Sequence, residues 1–175
     1  MRNNTKQIIE RIGETDQLFL ENNHPELALE RADLRLQLVS ISHHRQEQIH
    51  FLQEAVVLLE QARVEFEEMP MRIYLNLSIK LAQAYLTYFD ITQEQRFALI
   101  TQQILKPLSF HEHAEIYLLL AQANFHKNEP ALVRHWLSKY VKHADFDLSA
   151  LQRHVSYAEI KQQDWLQVLL KSKMN

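Results

Sequence analysis

The chain reads as an all-α protein, an α-solenoid of antiparallel helix pairs with about eight to nine helices, and three observations predict that class. The stretch from Ala114 to Lys142 contains two runs with helical apolar spacing, Ala114 to Phe125 and Ala131 to Val141, joined only by Asn128-Glu129-Pro130. Helices joined by so short a turn lie antiparallel, and such a pair needs neighbours of its own kind to bury its remaining apolar side. Second, the 175 residues include a single glycine, Gly13. Glycine supplies the left-handed turns of tight hairpins and phosphate loops, so its scarcity argues against dinucleotide folds, P-loops and nucleophile elbows. Third, no segment alternates apolar and polar residues as a half-buried strand must.

The elements follow in order. Asn4 to Glu21 is the first predicted helix, with Ile8, Ile9, Ile12 and Phe19 at helical spacing. Gly13 weakens it by roughly 1 kcal/mol relative to alanine unless a neighbouring backbone packs there. Asn22-Asn23-His24-Pro25 ends it, and proline suits the first turn of the second helix, Pro25 to Ile41. Ser40 to His44 is read as a break before a third helix, Gln46 to Glu68. The alternative is one continuous helix over 25–68, since Leu34, Leu38, Ile41, Leu52, Ala55, Leu59, Ala62 and Phe66 share one series. The third helix ends on the acidic run Glu65 to Glu68, where the helix dipole prefers cations. That run is read as a solvated end, with attraction of a basic partner as the sharper alternative.

After Met69-Pro70, a strongly apolar fourth helix spans Arg72 to Phe89. Thr92-x-x-Gln95 has the form of a capping box for a fifth helix that ends at Lys106-Pro107. Ser109-x-x-Glu112 has the same form ahead of the central hairpin. Beyond a polar turn at Ala144 to Asp147, Leu148 to Lys161 and Asp164 to Lys171 make a last, shorter pair. The chain is read as one helical-repeat domain over 1–175, with loose repeats at about 4–42, 72–106, 109–143 and 147–171 and an extra long helix at about 45–68.

Composition narrows the function classes. With no cysteine there is no disulfide, thiolate metal site or cysteine nucleophile. The N-terminal stretch has no apolar signal core, and no apolar run approaches the roughly 18 residues of a membrane span, so a cytoplasmic address with no membrane partner is expected. A net charge of −3 gives no nonspecific pull on nucleic acid, and none is expected as a partner. Ten histidines are many, and protonating them all would raise the charge by ten, which predicts pH-sensitive behaviour.

Two motifs recur. Leu81-Ala82-Gln83-Ala84 returns as Leu120-Ala121-Gln122-Ala123, and Asn23-His24-Pro25 returns in form as Asn128-Glu129-Pro130. Here the chain resembles the tetratricopeptide repeat family. Tyr117, Leu120 and Ala121 stand where that motif has its aromatic, leucine and small residue, and Val133 and Leu137 fall on the matching positions of the second helix. Leu81, Ala82 and Tyr85 fit in the preceding unit, whereas Asn124 replaces an expected tyrosine. The resemblance implies a non-catalytic scaffold that binds a protein or peptide on a concave face. Projected onto that face, the fourth helix offers Asn76, Lys80 and Gln83 beside Ile79, and the sixth offers Glu115, Gln122 and Phe125 beside Leu118. Members that grip acidic C-terminal peptides use a cationic cluster there, which Asn76 and Lys80 suggest and Glu115 opposes.

Four constellations carry an alternative reading. His43, Glu47, His50 and Glu54 would share one helical face, and Glu47-x-x-His50 is similar to the element of carboxylate-bridged di-iron bundles. Their face is opposite Ile49, Leu52, Val56 and Leu59, so a solvated surface is the preferred reading and no metal or cofactor is assigned. Glu21-x-x-His24 repeats the spacing at a helix end, where a buried metal site would not be built. His111-x-His113 with Glu115 is read as capping polarity. Tyr74, Tyr85, Tyr88, Phe89 and Phe97 are read as core, with an aromatic peptide pocket as the sharper alternative. Nothing in the sequence recommends an enzyme. A last reading is self-association, as a homodimer through the terminal helices, because Trp165, Leu166, Leu169 and Leu170 make the final helix apolar enough to dock on a second copy.

Overall fold

Ten α-helices and one 3-10 segment account for most of residues 2–66 and 68–174, which the computed structural model of the protein describes. No strand occurs among them. The chain forms two compact units, one up to Gln93 and one from Glu94. Met1, Glu67 and Asn175, which the sequence reading includes in its single domain, lie outside the described residues.

The first unit holds α1 (Arg2–Glu21), α2 (Pro25–Ile41), α3 (Arg45–Glu65) and α4 (Met71–Thr92). Pro25 opens α2 as expected, and the His24 side chain caps it by accepting the Leu27 N–H at 3.2 Å. The break between α2 and α3 is real, at Ser42 to His44. It is held by side chains. Gln48 Nε2 donates to the carbonyls of Val39 and Ser42, at 3.3 and 2.9 Å, so the end of α2 is satisfied from the first turn of α3. The Ser42 hydroxyl, in turn, donates to the Glu47 carboxylate.

Helix α2 packs against α1, α3 and α4, and α3 against α4. Small residues set these contacts: Ala28, Ala32, Ala55, Ala62, Ala82 and Ala84 are all buried, and between them sit Leu27, Leu34, Leu38, Leu52, Leu59, Leu77 and Leu81. On α3 the buried row is Leu52, Ala55, Leu59 and Ala62, while Ile49 and Val56 are only half-buried. Helix α3 stops at Glu65 rather than Glu68, with Phe66 as its C-cap. Glu65 therefore closes the helix, accepting from Asn23 Nδ2 at 3.1 Å, and Glu68 lies in the turn beyond it. Glu67, the third member of that run, lies outside the described residues.

The second unit holds α5 (Gln95–Leu105), the 3-10 segment Lys106–His111, α6 (Ala114–His126), α7 (Pro130–Lys142), α8 (Leu148–Arg153), α9 (Tyr157–Ile160) and α10 (Asp164–Met174). Helix α6 lies between α5 and α7, and α10 packs on α7. Leu105, Ile116, Leu120, Ala121, Leu137, Val141, Leu151 and Leu166 fill the core. The central hairpin forms as predicted. Asn128 turns it in the left-handed conformation, φ 57°, and the Glu129 N–H donates to the Asn124 carbonyl at 3.0 Å.

Neither predicted capping box forms. Helix α4 runs on through Thr92, whose hydroxyl donates to the Tyr88 carbonyl at 2.8 Å, and left-handed Gln93 closes it. Ser109 lies within the 3-10 segment, bonded to the Lys106 carbonyl at 2.8 Å, and His113 caps α6 by accepting the Glu115 N–H at 3.3 Å. Pro107 explains the second case: it has no N–H to give an α-helix but fits the first turn of a 3-10 segment. The helix expected over Leu148 to Lys161 is instead α8 and α9, separated at His154-Val155-Ser156, and this raises the helix count above the expected eight to nine.

Candidate functional surfaces

The six residues projected onto a concave face all sit half-buried. In the first unit these are Asn76, Lys80 and Gln83 along α4. Lys80 Nζ donates to Asp33 on α2 at 2.7 Å, and Gln37 Nε2 donates to the same carboxylate at 2.8 Å. Burial pushes the Asp33 carboxyl up, but these bonds outweigh it and hold its pKa below the usual aspartate value. Lys80 is thus bound within the molecule, joined through Asp33 to Gln37 of α2.

In the second unit Glu115, Gln122 and Phe125 occupy α6. The turn between α8 and α9 reaches this helix, because His154 Nε2 lies 3.0 Å from the Leu118 carbonyl. His154 Nδ1 lies 2.8 Å from Ser156 Oγ and accepts the Ser156 N–H at 3.3 Å. With Nδ1 accepting and a carbonyl facing Nε2, the ring is the neutral tautomer protonated on Nε2. Burial depresses the His154 pKa; the bond to Leu118 partly opposes this, and nearby His126 adds to it.

The residues singled out for metal do not converge. His43 is in the turn before α3, Glu47 takes the Ser42 hydroxyl, and Glu54 accepts Arg35 Nε–H at 2.8 Å while lying 3.4 Å from His50. Among the described residues no group of three or more histidines and acids is placed to hold a metal ion. Glu54 belongs to a network joining three helices. Arg35, only 7% exposed, donates from Nη2 to Asp16 of α1 at 2.9 Å, from Nη1 to the Arg31 carbonyl at 3.1 Å, and from Nε to Glu54 of α3. Arg31 donates to the other Asp16 oxygen at 2.7 Å and lies over the Phe19 ring. Of the aromatic set, Tyr88, Phe89 and Phe97 are buried, while Tyr74 and Tyr85 are half-buried. The Tyr85 hydroxyl donates to Glu60 at 3.0 Å, and burial with that carboxylate pushes its pKa up to about 12.

A second polar cluster closes the central hairpin. Asn124, 2% exposed, donates to the Glu129 carboxylate at 2.5 Å. Lys127 and Gln102 also donate to that carboxylate, at 2.9 and 3.1 Å. Lys127 foremost, against the opposing effect of burial and with help from Asn124 and Gln102, holds the Glu129 pKa below the usual range. Asn124 stands where the repeat motif has a tyrosine, and here it ties the end of α6 to the start of α7.

The sequence reading named one side of a further surface, Trp165 and Leu169 of the final helix, and missed the other. Between α7 and α10 runs a groove of about 600 Å³, with Arg134, Ser138 and Lys142 along one wall and Asp164, Trp165, Val168 and Leu169 along the other. Val168 is 65% exposed, whereas Leu166 is fully buried. Arg134 lies over the Trp165 ring, 5.6 Å from its centroid. The four-residue spacing of Arg134, Ser138 and Lys142 was visible in the sequence, but only the packing of α10 supplies the facing apolar wall. No helix among the described residues is long and apolar enough to cross a membrane. Comparison with known proteins found no matching family model, no matching curated protein and no matching solved structure.

Proposed function

We propose that this chain is a non-catalytic scaffold that binds a protein or peptide, built from stacked helical hairpins and resembling tetratricopeptide repeats. One observation carries this reading most directly: α2 lies against both α3 and the next helix, α4. That is the packing by which successive hairpins stack and turn equivalent helices toward one side. The polar rows on α4 and α6 support it, since side chains half-buried on a helix face are placed to orient a ligand whose apolar groups supply the affinity.

Affinity capture with the chain and two variants, Asn76→Arg and Gln122→Arg, tests the reading. The expected result is a partner retained by the parent chain and lost from at least one variant with an unchanged melting temperature. Identical captured sets from all three would overturn the assignment of these faces.

A further inference from the structure

We infer that the α7/α10 groove is a docking site for an acidic amphipathic helix of a partner protein, a proposal that rests on the reading of the chain as a binding module but uses different residues. The charge of the groove points to this occupant. Among the described residues neither Arg134 nor Lys142 has a carboxylate partner, whereas Lys80, Lys127, Arg31 and Arg35 are each bound to one. Arg134 and Lys142 stand eight residues apart on one helix, roughly 12 Å along its axis. Their wall faces Trp165, Val168 and Leu169, so cations border an apolar floor that is open to solvent at Val168.

A helix laid in such a groove buries an apolar stripe and presents its flanks to both walls. Glutamates two turns apart on one flank match the spacing of Arg134 and Lys142. Asp164 adjoins Trp165 and so lies at the Arg134 end, where it offsets part of the cationic charge; the Lys142 end is the stronger anchor for a partner carboxylate, which gives the site a polarity. Arg134 also stacks on Trp165, which holds the guanidinium at the groove edge rather than free in solvent. Cation and apolar floor are therefore already in place before a partner arrives.

The test uses the full chain and three synthetic helical peptides of one length: a leucine stripe flanked by glutamates two turns apart, the same peptide with lysines for the glutamates, and a scrambled acidic peptide. Calorimetric titration is expected to show binding of the patterned acidic peptide only, weakening as salt is raised. The double variant Arg134→Glu with Lys142→Glu should weaken it about tenfold or more and favour the lysine peptide, as expected for reversing two pairs at a water-exposed edge. Val168→Glu should abolish binding of the patterned acidic peptide. Equal binding of the acidic and scrambled peptides, no binding of any, or no effect of the charge reversal would overturn the proposal. So would light scattering that shows a dimer of the chain broken by Val168→Glu, because a second copy would then occupy the groove. Failure here together with retained, Asn76- or Gln122-dependent capture would leave the scaffold reading intact and remove only this site.

Discussion

Arg35 is the residue on which the first unit turns. Its three donors each reach a different acceptor, and two of those acceptors are carboxylates on other helices. Asp16 and Glu54 are partly open to solvent and Asp16 keeps its bond to Arg31, so losing the guanidinium removes hydrogen bonds and packing without burying a bare charge, and Arg35→Ala should cost about 1–3 kcal/mol in a urea melt. Burial alone would raise the pKa of Asp16, but the bonds from Arg35 and Arg31 prevail and lower it. Its contribution is thus fully present above the unfolded value near ~4 and is lost as pH falls through the folded one. His154 acts at a different pH. Its folded pKa lies below the unfolded value of roughly 6.5, so the unfolded chain takes up the proton first and stability falls as pH drops from there toward the folded value. Melting temperatures of the parent chain should decline over that mildly acidic window, and in His154→Asn the decline should be shallower. A parallel decline in both would assign the effect to another group. The count of ten histidines suggested pH sensitivity, but it could not single out His154, because the acceptor that fixes its tautomer is a backbone carbonyl 36 residues away.

At the scale of the helix, Gly13 is the clearest opportunity. A Cβ built there meets nothing within 4 Å, so no close backbone approach requires glycine in the middle of α1. Gly13→Ala should stabilise the protein by about 0.5–1 kcal/mol, and a loss in the same urea titration would show an unrecognised contact. Ala121 is fully buried between helices, and Ala121→Leu should cost roughly 1–3 kcal/mol by overpacking; an unchanged melting temperature would contradict the packing of α6 described above. Helix identities and the central hairpin were legible because apolar spacing and proline placement act locally. Boundaries were less so. The Thr92 and Ser109 motifs had the right letters for caps, but each hydroxyl bonds a carbonyl in its preceding turn. A Ser or Thr side chain competes for backbone carbonyls as readily as for N–H groups, and the sequence does not say which wins. The α7/α10 groove was half legible: Trp165 and Leu169 were read as a docking face, but the wall of Arg134 and Lys142 is brought to them only by tertiary packing.

For the molecule as a whole, each of the two compact units has its own polar cluster. Arg35 with Asp16 and Glu54 lies in one, and Asn124 with Glu129 and His154 with Leu118 lie in the other. A fragment of residues 1–93 is therefore expected to give a helical far-ultraviolet spectrum and a cooperative urea transition. A non-cooperative melt would mean that its core needs the rest of the chain. Mild acid should act on the second unit, through His154, and leave the first largely intact until the aspartates titrate.

The three-way grip of Arg35 also bears on how the first unit breathes. Neither α1 nor α3 can swing away from α2 without exposing a stranded guanidinium or carboxylate, so fraying of one should carry the others with it. Amide protons near Asp16, Arg35 and Glu54 should then exchange with deuterium at a single shared rate, and that rate should split into separate ones once the arginine is removed.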